Sequence, residues 1–149
     1  MNQNLFAYLT DIRNQIIDIA TQKGMNASGK TLNSIEIIET PNGYELQASS
    51  NIYFMEHGRG PTHPGTPAGN PNLVEVIQDW LDARGLDANP YAIAKAIHKN
   101  GTKLYRSGGN SGILSVPLNL ERLDQVFNDI SAQYLNNTAQ MVFEPLLGG

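Results

Sequence analysis

The run from Gly58 to Pro71 constrains the fold more than any other stretch, because eight of its fourteen residues are Gly or Pro. Neither a helix nor a central strand tolerates that density: each Gly adds backbone freedom that folding must remove, and each Pro lacks an amide donor. The chain therefore carries a long irregular loop here, with patterned segments on either side. Just before it stands Tyr53-Phe54-Met55-Glu56-His57-Gly58-Arg59-Gly60, which reads as an apolar strand ending in a glycine turn. A loop of this size in a chain of 149 residues usually exists to touch another molecule.

Upstream, residues 4–23 read as an amphipathic helix. Leu5, Leu9, Ile12, Ile16 and Ile19 recur at three- and four-residue spacing, and Lys23-Gly24 supplies a cation and a stop. Residues 31–39 and 44–50 alternate as strands do, and Pro41-Asn42-Gly43 between them forms a hairpin turn in which Asn-Gly tolerates positive φ. Asn51–Met55, apolar at Ile52 and Phe54, reads as a third strand, so the expected sheet is an antiparallel meander.

Downstream, Asn72 is placed to cap a helix whose stripe is Leu73, Val76, Ile77, Trp80 and Leu81, ending at Arg84-Gly85. Asn89-Pro90 opens a second helix with Ile93 and Ile97 inward, stopped by Asn100-Gly101. Gly108–Gly112 reads as a flexible glycine-rich loop. The final helix, 118–143, carries Leu120, Leu123, Phe127, Ile130, Tyr134 and Val142 as its inner stripe, with Pro145 and Gly148-Gly149 closing it. The expected class is α+β: a small antiparallel sheet, a hairpin plus further strands, packed by an N-terminal helix, two short helices and a long C-terminal helix. Residues 1–149 form a single domain, with no internal repeat.

Composition narrows the function. A net charge of -4 argues against a protein whose main work is gripping DNA phosphates, and the lack of cysteine removes thiolate metal sites and a cysteine nucleophile. No basic leader precedes the first helix and no apolar run reaches membrane-spanning length, so the expectation is a soluble, untargeted chain. Charge is nonetheless uneven. Glu75, Asp79, Asp82 and Asp87 cluster around the Trp80 helix, whereas residues 90–112 hold Lys95, Lys99, Lys103 and Arg106 with no acid. That basic ridge is either a solvated face or a surface for an acidic partner or passing DNA. Tyr91 and Tyr105 flank it, and such aromatics can stack bases.

Several residues imitate chemistry. Gly24–Thr31 fits the P-loop pattern letter for letter, but the pattern cradles phosphates only between a strand and a helix. Here a helix precedes it and a strand-like run follows. His57 and His63 with Glu56 could be drawn as metal ligands, yet their loop is irregular and His98 is distant in sequence. No serine occupies a nucleophile elbow and no His/Asp arrangement is triad-like. The expectation is therefore no enzyme, no cofactor and no metal.

The order Ala27-Ser28-Gly29-Lys30-Thr31-Leu32-Asn33-Ser34-Ile35, a hairpin, then Tyr53-Phe54-Met55-Glu56-His57-Gly58-Arg59-Gly60-Pro61 resembles the tail-completion (neck) components of tailed phages. Ile77-Gln78-Asp79-Trp80, Tyr91-Ala92-Ile93-Ala94-Lys95-Ala96-Ile97 and Gly101-Thr102 continue the resemblance, which covers about residues 27–105. It implies a virion subunit made in the host cytoplasm and assembled as a homo-oligomeric ring, expected to be a hexamer, between the head connector and the tail tube. Genome DNA would pass through the lumen without specific binding. A tail terminator or head-closure adaptor is an alternative within the same machine; a small nucleotide- or DNA-binding domain is the alternative outside it. The residues expected to meet partners are the 57–71 loop with His63, the 107–112 loop, and the ridge Lys95, Lys99, Lys103 and Arg106. Glu56 and Arg59 are expected to form an ion pair that sets the angle of the loop.

Overall fold

A computed structural model describes residues 3–147, with side chains described as far as residue 138. Its elements run α1 (Gln3–Gln22), α2 (Lys30–Asn33), β1 (Glu36–Thr40), β2 (Gly43–Gln47), α3 (Asn51–His57), α4 (Leu73–Arg84), α5 (Pro90–Asn100), α6 (Lys103–Arg106) and α7 (Leu120–Leu147). The class is α+β, as the patterning implies.

The sheet is smaller than the meander expected from sequence. β1 and β2 pair antiparallel, with Ile37 opposite Leu46 and Thr40 opposite Gly43, and no further strand joins them among the described residues. Pro41 and Asn42 form the tip, and only Gly43 of these residues takes positive φ. Two-stranded sheets need a covering layer to be stable. Here α1 lies across both strands, and the ring of Phe6 meets that of Tyr44 at 5.3 Å.

Two segments read as strand are helical instead. Within 31–35 the buried residues are Leu32 and Ile35, three apart, so α2 makes one turn before the strand begins at Glu36. In 51–57 the inward residues are Ile52, Met55 and Glu56, while Phe54 is 47% exposed. That is helical spacing, whereas a strand would turn Ile52 and Phe54 to the same side. A four-residue apolar alternation fits either period, and the closing contacts of Glu56 select the helix.

The apolar side chains form two separate clusters. Ile12, Ile16 and Ala20 of α1 pack with Leu32, Ile35 and Ile113. Ile77, Leu81 and Ala94 form a second core between α4 and α5, flanked by Leu73, Val74, Ile93 and Ile97. That helical hairpin is capped as its sequence signals: Asn72 Oδ1 accepts from Glu75 N while Glu75 Oε2 accepts from Asn72 N, and Asn89 caps α5 ahead of Pro90. Trp80, expected in the core, is 41% exposed, with the Arg84 guanidinium 5.2 Å from its ring centre.

α7 departs most from expectation. Asn119 Oδ1 caps it by accepting from Arg122 N. The side chains partly covered are Arg122, Val126, Ile130 and Ser131. Arg122 pairs with Asp11 and lies 5.9 Å from the Tyr8 ring, so this face rests on α1. The expected inner stripe is instead exposed: Leu120 at 76%, Leu123 at 50%, Phe127 at 69% and Tyr134 at 73%. Val142 lies beyond the described side chains, Pro145 falls inside the helix rather than ending it, and Gly148 and Gly149 lie outside the described residues.

Candidate functional site

The polar residues of the 53–62 stretch converge on one junction. Glu56 is the last inward residue of α3 and is 3% exposed. Its Oε2 accepts from the Leu114 amide at 2.8 Å and from Ser111 Oγ at 3.3 Å, while its own carbonyl accepts from Ser111 N at 2.9 Å. Burial alone would raise the carboxyl pKa. Hydrogen bonds from the Leu114 amide, the Ser115 and Ser111 hydroxyls and the Gly112 amide outweigh that and hold it below the usual glutamate value. The donors come from the turns over residues 111–118, which bury Ile113 and Pro117.

This geometry corrects two expectations. The glycine-rich 107–112 loop is not free, because Ser111 is buried against Glu56 and His57 Nδ1 donates to the Gly109 carbonyl at 2.9 Å. Nor does Glu56 pair with Arg59. The Arg59 main-chain amide donates to Thr102 Oγ1 at 3.0 Å, Nη2 donates to Thr62 Oγ1 at 3.1 Å, and Nη1 is buried with no partner among the described residues. α3 ends at His57 and the chain turns at Gly58, with φ 75°, so the two side chains part company: Glu56 points toward residues 111–115 and the Arg59 guanidinium toward Thr62.

The start of the long loop is built into that same junction. Thr62 N donates to the His98 carbonyl, Thr102 N donates to the Arg59 carbonyl, and Thr62 Oγ1 lies 2.7 Å from His98 Nδ1. Gly58 has φ of 75°, and a Cβ there would stand 2.4 Å from the Tyr105 amide nitrogen. Gly101 meets it from the other side, where a Cβ would lie 2.8 Å from the Arg59 carbonyl. Only glycine permits backbone this close. Residues 63–70, His63 among them, are exposed throughout. The loop thus has a fixed base and a free outer part.

The P-loop-like stretch has a structural role. It runs from the end of α1 into a one-turn helix, with Gly29 in the left-handed region at φ 75°. Leu32 and Ile35 enter the main core, and Ser34 Oγ accepts from Ser49 N at 2.9 Å, joining this turn to the approach of α3. Lys30 Nζ bonds Asp79 at 3.1 Å rather than standing free over a phosphate cradle. The stretch borders a cleft of about 690 Å³ whose apolar wall includes Phe54, Val76 and Trp80.

Lys95, Lys99, Lys103 and Arg106 are all exposed on α5 and α6, as expected of a ridge, and among the described residues none is in an ion pair. Tyr91 and Tyr105 beside them are 71% and 49% exposed. Among the described residues no group of His, Asp or Glu is arranged to hold a metal ion, and no helix is long and apolar enough to cross a membrane.

No protein-family model, curated protein or solved structure matches this chain. The functional reading therefore rests on the residues themselves. What sequence reasoning missed is the exposed side of α7. The spacing of Leu120, Leu123, Phe127 and Tyr134 was legible, but the direction it faces depends on which neighbouring surface α1 leaves uncovered.

Proposed function

We propose that this chain is a structural subunit of an assembled ring at the head–tail junction of a tailed phage, acting in tail completion or as a neck component. The observation that carries the assembly reading is the distribution of apolar side chains. Phe54, Trp80, Leu120, Leu123, Phe127 and Tyr134 are each at least 41% exposed. A subunit that works alone has no use for so much exposed apolar surface, whereas one that works in an assembly covers it with neighbours. The resemblance of residues 27–105 to tail-completion proteins supplies the location.

On this reading the Glu56 junction sets the geometry and makes no contact with partners. Docking falls to the outer loop 63–70 and to the ridge of Lys95, Lys99, Lys103 and Arg106, all of which are exposed. A tail terminator or head-closure adaptor would use the same parts at another level of the neck. The four unpaired cations also favour a second reading, contact with DNA, whose mark is binding that weakens steeply with salt.

Immunogold labelling of intact phage particles with an antibody to the chain tests the location. Gold at the collar between head and tail is the expected result. Accessible particles without collar label would overturn the placement. Deleting residues 63–70 should leave folding unchanged and abolish attachment of tails to heads; tails that still join would remove the loop from the docking surface.

A further inference from the structure

α7 presents an apolar seam that is largely uncovered among the described residues, with Leu120, Leu123, Phe127 and Tyr134 exposed and Ile130 partly covered. Leu120, Leu123, Phe127, Ile130 and Tyr134 follow one another at alternating spacings of three and four, and Asn137 takes the next position. Such a 3.5-residue repeat keeps one narrow apolar line facing a second helix that supercoils with it, whereas packing onto a globular core uses a broader stripe. The adjacent face, through Arg122 and Val126, already rests on α1, and the partly covered Ile130 stands where that face meets the seam. From Ala132 to Thr138 every described side chain is exposed, so the helix leaves the body of the subunit while its seam continues. An isolated helical arm of that kind is marginal in water unless its apolar face is covered.

We propose that this seam pairs with the same seam of a second copy of the chain. Two features select a second copy over a different protein. The positions flanking the seam are Asp124 and Ser131 on one side and Val126 and Gln133 on the other. These are where charges choose a foreign partner helix, and a single carboxylate offers neither such a code nor like-charge repulsion between identical helices. The area also fits. At roughly 200 Å² per large side chain, the exposed fractions of Leu120, Leu123, Phe127 and Tyr134 leave on the order of 500 Å² of apolar seam. At the apolar share of about 65% found in homodimer interfaces, that corresponds to about 800 Å² per partner, the size of a standard stable interface. Asn137, polar and in line with the seam, fixes the register in which the two helices meet.

The pairing goes beyond the placement at a head–tail junction and does not depend on it. Sedimentation velocity of the full chain, with Leu123→Glu/Phe127→Glu as the test variant and Gln125→Glu as the control on the opposite face, decides it. Circular dichroism verifies that each variant is folded. The expected result is a wild type and control that associate in even multiples and a test variant of half that mass or less. A wild type that stays a single subunit at tens of micromolar, or a test variant that keeps the wild-type mass, overturns the pairing. If the charged variant does not fold, Phe127→Cys serves in its place, since the chain has no other cysteine. A short bis-maleimide should join two subunits through Cys at that position and not through Gln125→Cys; equal cross-linking of both variants overturns the pairing. The ring is separable from it. A wild-type pair that never closes into a ring supports the pairing and counts against the ring, and a ring unchanged in the test variant does the reverse.

Discussion

The Glu56 junction and the α7 arm are inversions of one another. At the junction a carboxylate, an arginine nitrogen and a serine are buried, and the backbone closes around them through glycines that admit no side chain. Along α7 leucines, a phenylalanine and a tyrosine are turned outward. The difference teaches that polarity alone does not tell site from scaffold in this chain. A buried carboxylate whose lone pairs are taken up by fixed donors is structural, and the apolar stripe left uncovered is where the proposed assembly would place a neighbour.

The sharpest way to break the comparison is to remove the carboxylate. Glu56→Ala should cost about 3 kcal/mol in chemical denaturation, because the Leu114 amide and Ser111 hydroxyl lose their acceptor in a site closed to water. A loss near zero would mean that residues 111–115 do not depend on Glu56.

Acid probes the same contact. The folded-state pKa of Glu56 lies below its ordinary value, so its contribution is complete above the unfolded pKa of about 4.3. It is lost as pH falls through the lower folded value. Wild type should therefore lose more stability than Glu56→Gln on acidification below about pH 4.3, and parallel pH profiles for the two proteins would contradict this. Gly58→Ala should follow with about 2 kcal/mol, through positive φ and the approach to Tyr105. Thermal melts that coincide with wild type would show that the 58–62 turn can shift freely.

At the other end of the comparison, Phe127→Ser should change the stability of the dissociated subunit by no more than about 0.5 kcal/mol, measured at concentrations too low for association. A large loss there would place Phe127 in the subunit's own core.

The helices whose ends carry explicit chemistry were legible in the sequence. Asn72 with Glu75, Asn89 with Pro90, and the glycines after each helix specify α4 and α5 without reference to anything distant. The hairpin was legible for the same reason, since Pro41-Asn42-Gly43 closes it locally. Residues 30–33 and 51–57 were not, because runs of four to seven residues fit either period and their helical form is decided by contacts far along the chain: Ser34 with Ser49, and Glu56 with Leu114. Trp80 and the α7 stripe exposed a second limit. Helical spacing identifies an apolar face, but the described residues leave that face largely uncovered. At the candidate site Glu56 and Arg59 belong to separate hydrogen-bond networks rather than to the ion pair expected of them.

The central claim is that the outward apolar surface belongs to an assembly. Native mass measurement of the purified full chain across a concentration series tests it most directly. The account predicts multiples of the 16.3 kDa subunit, with ring-shaped particles in electron micrographs of the same sample. A folded chain that remains at 16.3 kDa at every concentration, with its apolar side chains still in water, would contradict it.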